Sequence, residues 1–175
     1  NCAFGYTALQ DNTTGNYNHA FGDYALTNCT TGTANIAIGY NCLGANTTAG
    51  NNTSVGFEAM KLTTTGGNNV AVGSEALETN TTGSHNTAVG RSALFANTTG
   101  GYNVAVGTYA LDANTTGQYN VALGYGALSA STTASSNVAV GEQSLNAATT
   151  GANNTAVGQN AMGTGVVTGN WNSAF

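Results

Sequence analysis

The sequence predicts an all-β chain wound as a parallel β-solenoid of about ten 17-residue coils. Three observations predict it. The motif Asn-x-Ala-Val-Gly returns every 17 residues along a chain of 175. Short β-branched runs alternate with Asn-Thr-Thr-Gly turn signals. Helix formers are scarce, while Gly supplies 25 residues and recurs too often for helices to persist.

Taking the motif asparagine as position 1, each coil can be read in order. Position 1 is Asn1, Asn18, Asn35, Asn52, Asn69, Asn86, Asn103, Asn120, Asn137 and Asn154. In a stacked coil each residue sits on its counterpart about 4.7–4.9 Å away, so every position must be compatible with itself. An amide carries both donor and acceptor, so these asparagines are expected to form a ladder. Position 5 is Gly5, Gly22, Gly39, Gly56, Gly73, Gly90, Gly107, Gly124, Gly141 and Gly158, the expected corner glycines. Between them runs a first strand. Side chains alternate, so Val at position 4 shares a face with position 2, and position 3 takes the other. The expectation is that Val fills the interior. Position 3, which is Ala3, Ala20, Ala37, Ala71, Ala88, Ala105, Ala122, Ala139 and Ala156, with Ser54 in coil four, would then form an outward strip of small residues for subunit contact.

Positions 6–10 predict a second short strand around Ala-Leu. All nine charged residues fall at positions 6, 7, 10 or 11, which marks this segment's outer side as wet and points Leu9, Leu26, Leu77, Leu94, Leu111 and Leu128 inward. Positions 13 and 14 are Thr-Thr in nine copies and close the coil as a turn. The array is one domain over 1–175, with an irregular coil carrying a one-residue insertion at 163–169. It opens at position 1 and stops at position 4, which reads as a segment of a longer chain.

Composition excludes several classes. Two basic residues against seven acidic ones argue against nucleic acid, whose phosphates require Lys and Arg. No apolar run approaches the ~18–20 residues of a membrane span, so no membrane contact is expected. Cys2, Cys29 and Cys42 occupy three different repeat positions and read as small buried residues. His19 and His85 share no position with them, so no metal and no cofactor is expected.

The motif Asn-Thr-Ala-Val-Gly-x-x-Ala-Leu with Asn-Thr-Thr-Gly spacers resembles the head repeats of trimeric autotransporter adhesins. It is also similar to related β-roll repeats of phage tail fibres and bacterial surface fibres. The resemblance covers the whole chain. It implies a left-handed β-roll, three chains side by side, and an extracellular place on a cell surface or virion. Its partners would be two further copies, trimers joined end to end, and a host receptor or surface glycan. The adhesin repeat is usually shorter, about 14 residues.

Non-enzymatic structural and adhesive work is therefore the leading expectation. Ice binding is an alternative, because Thr ranks recur, although adjacent threonines such as Thr98 and Thr99 cannot both point outward from one strand. Glycan binding is another, with Tyr17, Tyr102, Tyr119 and Trp171 at position 17 as candidate contacts. Glu58 and Glu75 share position 7 in adjacent coils and suggest a glycosidase-like carboxylate pair, but solvated surface charges account for them as well. Nine glycosylation sequons occur, of which Asn12, Asn46, Asn80, Asn97 and Asn114 open the Thr-Thr turns and would be accessible there.

Overall fold

The computed structural model describes residues 1–164 and 167–175. Eleven short strands, from β1 (Cys2–Phe4) through β7 (Val104–Val106) to β10 (Thr155–Val157) and β11 (Ser173–Ala174), form one parallel sheet in chain order. Register follows the repeat: Ala3 pairs with Ala20, Ala105 with Ala122, Val106 with Leu123. One strand per 17 residues makes this a β-solenoid, with no helix among the described residues. Part of the irregular coil, residues 165 and 166, lies outside the described residues. Beyond it the ladder resumes one residue late, with Asn172 donating its backbone N–H to Asn154 Oδ1.

The expected second strand is not a strand. Positions 6–11 form tandem turns, with left-handed backbone at position 7 (φ 54° at Thr7, 61° at Glu75) and again at position 9 (φ 52° at Leu26, 53° at Leu111). Position 17 is also left-handed in every coil, from Tyr17 at 60° to Trp171 at 63°. Such a conformation costs a non-glycine residue roughly 1–2 kcal/mol. Inter-coil bonds hold it in place: Leu94 donates to the carbonyl of Ala110 at 3.0 Å, and Tyr109 to that of Arg91 at 3.0 Å. The corner glycine is more extreme, with φ between 124° at Gly141 and 140° at Gly73. A Cβ on Gly107 would also lie 2.6 Å from the Gly124 carbonyl oxygen, so only glycine lets the coils close to this distance.

The sheet faces are the reverse of the expectation. Ala20, Ala37, Ala71, Ala88, Ala105, Ala122, Ala139 and Ala156 are fully buried in the coil's own interior; only Ala3, in the first coil, is exposed. Val and its equivalents at positions 2 and 4 point outward. The reason is width. The interior already holds the position 9 row, Leu26, Leu43, Met60, Leu77, Leu94, Leu111, Leu128 and Leu145, all fully buried. Opposite a leucine, a flat coil has room for a methyl group and no more. Ser54 fits the same slot because its hydroxyl donates to the Ala59 carbonyl at 2.8 Å.

Two asparagine ladders line the remaining interior. At position 1 the Oδ1 of one asparagine accepts the backbone N–H of the next, as Asn86 does from Asn103 at 3.0 Å. The amide Nδ2 donates within its own coil, Asn103 to Gly117 O at 2.9 Å. Position 12 carries a second ladder that sequence reasoning treated as turn residues. There Asn97 donates to Asn80 Oδ1 and Asn114 to Asn97 Oδ1, both at 2.9 Å. The signal was available: five of these positions are Asn, and Cys29, Thr63, Ser131 and Ala148 are all small.

Candidate interaction surface

The outward sheet face carries two ranks of side chains along the rod. Rank 2 runs through Ile36, Thr53, Val70, Thr87, Val104 and Val121, and rank 4 through Phe4, Phe21, Ile38, Val72, Val106 and Leu123. Rank 2 also carries Cys2, His19, Thr155 and Ser173, and no Asp, Glu, Lys or Arg interrupts either rank in eleven strands. The side chains are partly open to solvent, from half-buried at Val106 and Val121 to 75% exposed at Phe4. At about 4.8 Å per strand the strip is roughly 48 Å long. Scattered apolar residues on a surface are ordinary, whereas a contiguous apolar strip of this length marks an interaction site.

Aromatic residues border the strip on both sides of the coil. At positions 6 and 7, Tyr6, Tyr24, Tyr40 and Phe57 form a continuous row with centroids 5.5–5.6 Å apart, the first two contacts edge-to-face and the last stacked. At position 17, His85, Tyr102 and Tyr119 stack nearly parallel at 4.7 and 5.2 Å. Tyr17, Tyr102, Tyr119 and Trp171 are all exposed. Within the stack, however, both faces of the Tyr102 ring are occupied by neighbouring rings, leaving its edge to solvent. Sugar stacking needs a free face, so this residue is a structural ladder member.

The remaining candidates sort clearly. The position 13 threonines turn inward along the ladder, Thr98 Oγ1 donating to Thr115 O at 3.0 Å, while position 14, such as Thr99, stays exposed. The Thr ranks therefore present one free row. Glu58 and Glu75 each have another partner: Glu58 binds Lys61 at 3.0 Å, and Glu75 accepts from Ser92 Oγ at 3.0 Å. Of the turn asparagines expected to be accessible, Asn46, Asn80, Asn97 and Asn114 are fully buried, which removes them as acceptors of a glycan. Cys29 and Cys42 are buried and free, and burial pushes both thiols above their ordinary range, so neither is a nucleophile at neutral pH. Cys2 is exposed, because it stands at outward position 2 of the first coil. No group of three metal-ligating side chains occurs among the described residues.

Compared with protein-family models, curated proteins and solved structures, the chain has no match.

Proposed function

We propose that this chain is a non-enzymatic structural and adhesive segment of an extracellular fibre, with three copies side by side. The uncharged outward strip of ranks 2 and 4 carries the reading. The strip alone offers on the order of 340 Å² per chain, taking its length and two ranks about 7 Å apart. A stable interface needs about 800 Å² per partner. Copies must therefore also engage the bordering aromatics of position 17, a residue class enriched in interfaces. The threefold count and the extracellular place rest on the resemblance to adhesin heads and fibre β-rolls. The rod itself suits a shaft: its inter-coil bonds are in register, and its stability grows by adding coils rather than by enlarging a core.

The test is molar mass by light scattering. The wild type is expected at three chains. Val104→Glu with Val121→Glu places carboxylates on the strip, where burial without partners costs each several kcal/mol, and should give single folded chains. A wild type that is monomeric at high concentration, or a double variant that stays trimeric, sinks the proposal. Ala105→Glu is no test of assembly, because Ala105 is buried inside its own coil.

A further inference from the structure

In an array where most positions copy themselves, the coils that depart from the pattern are where a specific ligand would be read. Coils five to seven depart from it on the wet turn side. Glu75, Arg91, Ser92, Phe95, Tyr109 and Asp112, all from positions 6, 7 and 10, line a surface depression of about 230 Å³. Arg91 is the coil array's one cation without a carboxylate partner among the described residues; the other, Lys61, is held by Glu58 and Glu78. The Arg91 guanidinium instead lies over the Tyr109 ring, 5.6 Å from its centroid. Asp112 Oδ1 is screened from solvent and has no hydrogen-bond partner. Glu75 spends one carboxylate oxygen on Ser92 and keeps acceptor capacity on the other.

We propose that this depression binds a single neutral pyranose ring, the terminal residue of a glycan. The polar groups supply planar forks of both kinds, a guanidinium that donates and carboxylates that accept, which suits vicinal hydroxyls able to do both. Phe95 offers an apolar wall for the ring's C–H face. The volume lies just below the roughly 300–1,000 Å³ of sites for drug-sized ligands and suits one ring. Charge selects against anions: two carboxylates against one guanidinium, in a chain of net charge −5, repel an anionic sugar. The depression lies beyond the Gly corner from the outward strip, so both surfaces can be occupied together. This inference rests on the adhesive part of the proposed function and gives it a site.

The experiment is saturation-transfer NMR on the whole chain with methyl glucopyranoside, methyl galactopyranoside and methyl mannopyranoside, and with methyl glucuronide as the anionic probe. At least one neutral glycoside should give a saturable signal with millimolar affinity. Arg91→Ala, at an exposed position, should weaken it about tenfold or more with melting and molar mass unchanged. Lys61→Ala should leave it alone. The inference falls if no neutral glycoside saturates, if Arg91→Ala binds like wild type, if Lys61→Ala weakens binding equally, or if glucuronide binds more tightly than every neutral probe. A trimer that binds no glycoside refutes this site and leaves the fibre reading standing. A monomer that binds one refutes the trimer and leaves the site.

Discussion

The asparagines of the interior are held by hydrogen-bond satisfaction. The position 12 ladder shows this where it breaks. Asn12 Oδ1 is buried without a partner, because Cys29 stands below it in the next coil. Cys29 Sγ in turn accepts only a long contact from Asn46 Nδ2, 3.9 Å away. Cys29→Asn should join Asn12 to Asn46 in one continuous ladder, as Asn97 joins Asn80 to Asn114. A gain of about 0.5–1.5 kcal/mol is expected for the net bond, read as a higher denaturation midpoint. Asp112 gives the opposite case, a charge held poorly. Burial pushes its carboxyl above the ordinary 3.8, and the nearby backbone N–H groups of Asp112 and Ala113 offset this only in part. A raised folded value means the unfolded chain releases this proton first, so the contribution to stability is fully present below pH 3.8 and is lost as pH rises through the raised value. Asp112→Asn removes the titration. Its melting temperature should exceed wild type at pH 7, and the difference should shrink as pH falls through that window. A difference that grows towards acid pH contradicts the assignment.

The coil is the element that repeats, and its backbone is more unusual than its composition. Each coil accepts left-handed residues at positions 7, 9 and 17, among them a buried leucine or methionine at position 9. Burying that side chain contributes roughly 1.5–3 kcal/mol, which offsets the conformational cost. Gly107 admits no such compromise. With φ at 133° and the Gly124 carbonyl 2.6 Å from a new Cβ, Gly107→Ala strains the backbone and pushes against main chain rather than a movable side chain. A loss of at least about 1–3 kcal/mol is expected from the backbone alone, and chemical denaturation measures it. Asn103→Ala should be comparably costly. It strips the buried Asn120 N–H of its acceptor and the Gly117 carbonyl of its donor, at about 1–3 kcal/mol for each unmet group. Val104→Ala at the neighbouring outward position should cost an isolated chain far less. Equal losses from Asn103→Ala and Val104→Ala in dissociated chains would contradict the assigned faces.

The whole molecule is a rod with two unlike long sides. The sheet side is mostly apolar and carries no Asp, Glu, Lys or Arg, whereas the turn side carries all nine of these residues. This polarity is what the fibre proposal uses: association hides the first side and leaves the second to solvent. It predicts that wild-type association persists from low to high salt, because apolar burial rather than charge pairing holds the copies. Sedimentation at low and high ionic strength checks this. Release of wild-type copies by salt alone would point to the turn side instead.

The sequence by itself determined the period, the number of coils, the parallel register, the interior leucine row and the wet side of the turns. These are linear properties: a residue that must stack on its own copy has to recur at a fixed interval. It did not determine which face of the first strand is inside. Alternation groups positions 2 and 4 against position 3, but neither group carries a charge, so nothing local ranks them. Apolarity suggested Val inside, and the space left opposite Leu decided for Ala. The left-handed turns at positions 7, 9 and 17 were equally hidden at Leu and Tyr, though Asn41, Asn51, Asn68 and Gly126 are residues that favour that conformation. The depression at Arg91 exists only because stacking brings positions 6, 7 and 10 of three coils together, residues up to 37 apart, from Glu75 to Asp112. What recurs was legible along the chain; what faces inward, and what meets across coils, was decided by volume and stacking in three dimensions.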